Sequence, residues 1–161
     1  MIVLVMGVSG SGKTTIGAAL AARLGSDFID GDDWHPAGNV AKMAAGTPLT
    51  DEDRWPWLDR LNAELRAREA LGESVVLACS ALKQAYRDRL MRGLERCELV
   101  FLHGSFELIR DRLADRKHRY MPASLLESQF AALEPPARAI AVNVAQPSDH
   151  CVEQIRAAVA V

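Results

Sequence analysis

Gly7-Val8-Ser9-Gly10-Ser11-Gly12-Lys13-Thr14 is the stretch on which the reading of this chain turns, because it fits the pattern G-x-x-x-x-G-K-[ST] without a mismatch. Ahead of it, Ile2-Val3-Leu4-Val5-Met6 is a short, unbroken apolar run of the kind buried on both faces of a parallel sheet. Behind it, Ile16, Leu20 and Leu24 recur at helical spacing, and Gly25 closes the segment as a C-terminal cap. Strand, glycine loop and helix are the context the motif requires. Glycines let backbone N–H groups wrap a phosphate, and the helix N-terminus adds positive potential. Lys13 reaches the β- and γ-phosphates, and Thr14 offers a hydroxyl to Mg²⁺. ATP and Mg²⁺ are therefore the expected cofactors, cradled by Gly7, Ser9, Gly10, Ser11, Gly12, Lys13, Thr14 and Thr15.

Outward from this loop the chain alternates. Short apolar strands are expected at 28–30, 75–79, 98–103 and 140–144, with helical patterns between them. Ser80 reads as the N-cap of a helix carrying Tyr86, Leu90 and Leu94, and Ser105 as the cap of another carrying Leu108, Ile109 and Leu113. Leu126, Phe130 and Leu133 mark a further stripe, and Val152, Ile155 and Val159 a last helix. Thr50 with Asp51, Glu52 and Asp53 looks like an acidic helix start, but Pro56 predicts a break near Arg54, with the main helix running from Pro56 to Gly72. The pattern predicts an α/β fold: a three-layer α/β/α P-loop domain over residues 1–161 with a five-stranded parallel sheet and a mobile lid at about 112–122.

The bulk numbers agree. A chain of 161 residues, 49% apolar and 25% charged, suits one soluble domain. Its net charge of −2 argues against nucleic acid as a partner. Cys79, Cys97 and Cys151 are far apart and form no zinc pattern, so a reducing compartment is expected. No apolar run approaches the roughly 20 residues of a membrane span. With the first strand starting at Ile2, no targeting segment is expected and a cytoplasmic location is predicted.

The second strand leads into Asp30-Gly31-Asp32-Asp33, placing carboxylates at the carboxyl edge of the sheet, where open α/β proteins bind ligands. One, Asp30, can serve the metal. Another, Asp32, can take the proton of an acceptor hydroxyl, as phosphoryl transfer requires. Arg112 and Arg116 lie four apart and project from one side of a helix, with Arg119 following in a basic stretch. They are candidates to clamp triphosphate charge, Arg116 catalytically together with Lys13. His35, Lys42 and Arg54 are isolated signals that spacing alone does not raise above surface residues. These residues predict an ATP-dependent phosphotransferase acting on a small hydroxyl-bearing acceptor.

Several blocks sharpen this. Asp30-Gly31-Asp32-Asp33-Trp34-His35-Pro36, Gly46-Thr47-Pro48-Leu49, Asp53-Arg54-Trp55-Pro56-Trp57-Leu58, Ala78-Cys79-Ser80-Ala81-Leu82-Lys83 and Leu125-Leu126-Glu127-Ser128-Gln129-Phe130 together resemble the gluconate kinase (gluconokinase) family, which is similar in fold to shikimate and adenylate kinases. The resemblance implies transfer from ATP to the 6-hydroxyl of D-gluconate, with Asp32 orienting that hydroxyl and Arg54 binding the carboxylate. It also implies that His35, Lys42 and Ser80 line the acceptor side, that Arg112 and Arg116 act from the lid, that 143–147 touches adenine, and that the enzyme is a homodimer. The chain departs from the family in its lid, where Arg116-Lys117-His118-Arg119-Tyr120 replaces the common Arg-Lys-Gly-His-Phe. Two rivals stand beside this reading: a kinase of the same fold for shikimate or a nucleoside monophosphate, and a non-catalytic ATP-binding sensor.

Overall fold

The computed structural model describes residues 1–115 and 123–159. In chain order they form β1 (Ile2–Met6), α1 (Lys13–Leu24), β2 (Asp27–Asp30), a 3₁₀ turn (Gly31–Trp34), α2 (Ala37–Ala44), α3 (Asp51–Ala70), β3 (Val75–Ala78), α4 (Gln84–Leu90), β4 (Cys97–His103), α5 (Phe106–Ala114), α6 (Ala123–Ala132), β5 (Ile140–Asn143) and α7 (Ser148–Val159). The strands make one five-stranded sheet in the order β2-β3-β1-β4-β5, and every pairing is parallel.

β1 sits at the centre, so all five of its residues are buried and its side chains feed two cores. Ile2, Leu4 and Met6 join Leu58, Leu61 and Leu65 of α3 and Leu90 of α4 on one face. Val3 and Val5 join Ile16 and Leu20 of α1 and Val152 and Ile155 of α7 on the other. These are the three layers expected. A third, smaller cluster joins Val8 of the glycine loop to Leu82, to Ile109 and Leu113 of α5, and to Leu126 of α6. Among the described residues no helix is long and apolar enough to cross a membrane.

Two local expectations are corrected. α3 does not break at Arg54; it runs unbroken from Asp51 through Pro56. Thr50 and Asp53 form a reciprocal capping box, the Asp53 N–H donating to Thr50 Oγ1 at 3.2 Å and the Thr50 N–H to Asp53 Oδ2 at 2.9 Å. Three acids in the first turn favour the helix dipole. Pro56 and Glu52 are both exposed, and the helix forgoes only the bond that the Glu52 carbonyl would accept from an N–H at position 56. Second, Ser80 does not cap α4. Lys83 occupies that position, and Leu94 lies beyond the helix end. Residues 80–83 instead form a loop with Ala81 at φ 45°, held by the guanidinium of the buried Arg87, whose Nη1 donates to the Ala81 and Leu82 carbonyls at 2.7 and 3.1 Å. Ser105, by contrast, caps α5 as expected, accepting from the Leu108 N–H at 3.1 Å.

Candidate active site at the carboxyl edge of the sheet

The glycine loop fills the turn between β1 and α1. Gly7 has φ 157°, and a Cβ there would lie 2.6 Å from Ser11 Oγ and 2.8 Å from the Leu102 carbonyl. Gly10 has φ 83°, and a Cβ would fall 2.7 Å from Leu113 of α5. Neither position accepts another residue, because the conformation and the space both demand glycine. The loop is pinned from outside. The Gly7 N–H donates to the Ser80 carbonyl at 3.3 Å, and Ser9 is held by Gln129 of α6. Lys13 folds back over the loop, its Nζ donating to the Val8 carbonyl at 3.1 Å.

At the lip of the loop, Thr14 Oγ1 donates to Asp30 Oδ2 at 3.3 Å. The other oxygen of the same carboxylate, Oδ1, accepts the Asp32 N–H at 3.0 Å, capping the 3₁₀ turn. A hydroxyl and a carboxylate are thus juxtaposed as hard oxygen donors, the chemistry Mg²⁺ takes when phosphates and water complete its shell. Among the described residues no cluster of three or more His, Cys, Asp or Glu forms a self-sufficient metal site. Asp32 is exposed at the start of the turn. Beneath the carboxylates lies Cys79. Burial pushes its thiol up to about 12, with Asp32 and Asp30 adding to the shift and Lys13 opposing it.

The 3₁₀ turn delivers His35 to the acceptor side. Its ring stacks on Trp57 of α3, with centroids 3.9 Å apart and planes 22° from parallel. Trp57 is in turn fixed by its indole N–H, which donates to the Gly31 carbonyl at 2.8 Å. Burial lowers the His35 pKa from its ordinary value, Asp32 works against that shift, and Arg54 reinforces it. These three side chains therefore share one electrostatic neighbourhood. Arg54 is braced as well: Nη1 donates to the Leu49 carbonyl at 2.8 Å, and the guanidinium lies 5.2 Å from the Tyr86 ring centroid. Lys42 is engaged with the α3 capping box, its ammonium 2.9 and 2.8 Å from the two Asp53 oxygens. That contact draws Asp53 down to about 2, with the Thr50 N–H as the next cause.

On the opposite side of the loop a cleft of about 260 Å³ is lined by Gly10, Gly12, Thr15, Arg112, Gln146 and Pro147, among others. Arg112 Nη2 donates to the Val144 carbonyl, so the last turn of α5 closes this cleft against the segment after β5. The structure thereby brings Lys13, Thr14, Asp30, Asp32, His35 and Arg54 to one edge, and sets Thr15 and Arg112 in the cleft beside it. Arg116 and Arg119, with 116–122 of the expected lid, lie outside the described residues.

Sequence reading assigned no role to Gln129, Asn39 or Arg87, which brace this site. Gln129 meets Ser9 across 120 positions of sequence. Arg87 Nη2 reaches the Glu134 carbonyl 47 residues on, at 2.7 Å. No spacing rule signals such partners. The one available cue was an arginine on the inner face of the α4 stripe, one residue from Tyr86.

The chain is similar to known proteins over most of its length. Residues 2–136 match the family described as "AAA domain". A probable gluconokinase of Xenopus tropicalis is 47% identical, with 96% of this chain and 91% of that protein covered. The thermosensitive gluconokinase of Escherichia coli K12 is 50% identical over 83% of this chain and 71% of its own length. The crystal structure of a gluconokinase from Sinorhizobium meliloti 1021 superposes with a TM-score of 0.86 at 46% identity, covering 98% of this chain and 90% of that one.

Proposed function

This chain belongs to the gluconokinase family, and we propose that it performs that reaction with the residues just described: transfer of the ATP γ-phosphate to the 6-hydroxyl of D-gluconate, giving 6-phospho-D-gluconate and ADP. The observation that carries the proposal is the convergence at one sheet edge of a phosphate loop, a Thr14–Asp30 oxygen pair and the Asp32, His35 and Arg54 group.

In this reading the backbone N–H groups of the loop and Lys13 hold the β- and γ-phosphates, where the developing charge is greatest. Thr14 and Asp30 would hold Mg²⁺, which would supply positive charge to offset that of the phosphates. Asp32, exposed at the carboxyl edge, orients the attacking hydroxyl and takes its proton. Arg54, braced by Leu49 and Tyr86, presents the rest of its guanidinium to the gluconate carboxylate. His35 and Ser80 line the acceptor side, and Lys42 acts there through Asp53 or by exchanging that partner for substrate. Thr15 and Arg112 serve the nucleotide from the cleft at 143–147, and Arg116 completes phosphate binding from the segment about 112–122. A homodimer in the cytoplasm belongs to the same reading, supported by the family and by three free cysteines suited to a reducing compartment.

An acceptor screen with coupled ADP detection tests it. Gluconate is expected to give the highest kcat/KM among sugar acids, shikimate and nucleoside monophosphates. A large preference for shikimate or a nucleotide would overturn the assignment.

A further inference from the structure

We propose that Asn39 is a positioning residue that locks His35 as an Nε2–H donor aimed at a hydroxyl oxygen of the acceptor, an inference that rests on the kinase reading above. Asn39 stands in the first turn of α2 and is buried, with 5% of its surface exposed. Its Nδ2 lies 2.9 Å from the Asp53 main-chain carbonyl and 3.2 Å from His35 Nδ1.

The first contact fixes the amide, because a carbonyl oxygen only accepts and the atom facing it must be the nitrogen. That nitrogen carries two protons. One goes to Asp53, and the other is directed at His35 Nδ1. Nδ1 is therefore the acceptor, and the proton of the neutral ring resides on Nε2. A charged ring would set N–H against N–H. The ring cannot swing out of this register, since it stacks on Trp57 and Trp57 is itself bonded to Gly31.

The charged groups facing His35 are Asp32 from its own turn and Arg54 from α3, while Lys42 of α2 is paired with Asp53 behind Asn39. With Nδ1 occupied, His35 has no nitrogen left to accept a proton from substrate. It is a donor only, and the neighbouring carboxylate of Asp32 is an acceptor only. A hydroxyl is both, so the pair reads an alcohol from its two sides: N–H to oxygen, O–H to carboxylate. Acceptors lacking a hydroxyl at that point leave both groups unpaired.

Long-range ¹H–¹⁵N NMR on protein carrying ¹⁵N-histidine reads the tautomer without any substrate. Four histidines give four patterns, and His35→Gln identifies the one that matters by its loss. At neutral pH, Nδ1 of His35 is expected unprotonated and Nε2 protonated; a proton on Nδ1, or on both nitrogens, would overturn the lock. Asn39→Asp replaces the donor by an acceptor. It is expected to move the proton to Nδ1 and raise the gluconate KM roughly tenfold or more, with the ATP KM changed less than about twofold. An unchanged gluconate KM in a variant whose tautomer has switched would refute the role.

Should Asn39→Asp fail to fold, the His35 pair decides. His35→Gln keeps an N–H near the Nε2 position and His35→Phe keeps only the stack, so the Gln variant is expected to retain at least about tenfold higher kcat/KM for gluconate. Equal losses would refute the proposal. A wild-type chain inactive on gluconate would sink the kinase reading and be recognised separately from the tautomer result.

Discussion

Gln129 grips Ser9 at two points: its Oε1 accepts the Ser9 N–H at 2.7 Å, and its Nε2 donates to Ser9 Oγ at 2.9 Å. The second turn of α6 is thereby fastened to the third residue of the phosphate loop. Whatever moves α6 moves the loop, and the N–H groups that follow Ser9 inherit their direction from this contact.

Gln129→Leu keeps the volume and removes both bonds. ATP binding, measured by calorimetry, is expected to weaken roughly tenfold, with about 1–3 kcal/mol lost from stability for the unmet Ser9 groups. Gln129→Glu can still accept from Ser9, so the fold should survive better, but its charge beside the phosphates should weaken ATP at least as much and more so at low salt. Unchanged ATP affinity in both variants would contradict the coupling.

Trp57 carries the floor of the acceptor side. Trp57→Phe retains a ring under His35 but leaves the Gly31 carbonyl without its 2.8 Å donor. A loss of about 1–3 kcal/mol in chemical denaturation is expected, together with a raised gluconate KM and little change for ATP. A variant as stable as wild type would mean that this bond contributes nothing.

The acid response should have two stages. Burial lowers the His35 pKa below its ordinary 6.5, so the unfolded chain takes up that proton first, and the stability tied to the neutral ring is complete above about 6.5 and lost as pH falls below it. Asp53 is held at about 2 by its bonds to Lys42, against 3.8 ordinarily. Its contribution is complete above about 4 and lost as pH falls from there toward 2. In thermal melts against pH, His35→Gln should flatten the first stage and Lys42→Met the second. A wild-type melting temperature independent of pH from 7 down to 3 would contradict both assignments.

What could be read from the sequence was what neighbours in the chain decide. Gly7 to Thr14, the apolar run before them and the stripe after them fix strand, loop and helix within one short segment, and the alternation that follows dictates a parallel sheet. Pro56 shows where local rules mislead: its missing N–H predicts a break, yet the capping box at Thr50 and Asp53 and the burial of Trp57, Leu58, Leu61 and Leu65 carry the helix across it. Ser80 misleads in the same way. It has a good capping side chain, but the buried Arg87 imposes a loop on 80–83 and moves the helix start to Gln84. The supports of the site were illegible for a further reason. Gln129 and Ser9, 120 positions apart, are joined only once the sheet has brought distant segments together, and Asn39, four residues from His35 and 14 from Asp53, shares its amide between a ring nitrogen and a main-chain carbonyl, a pairing that no periodic pattern signals.

Asp32→Asn, assayed in parallel for ATP binding and for gluconate-dependent ADP formation, bears most directly on the chemistry. The amide occupies the same space but takes no proton, so turnover should fall by about 10²–10⁴-fold while ATP affinity stays within about twofold of wild type. Turnover within a few-fold of wild type would show that Asp32 does not receive the acceptor's proton.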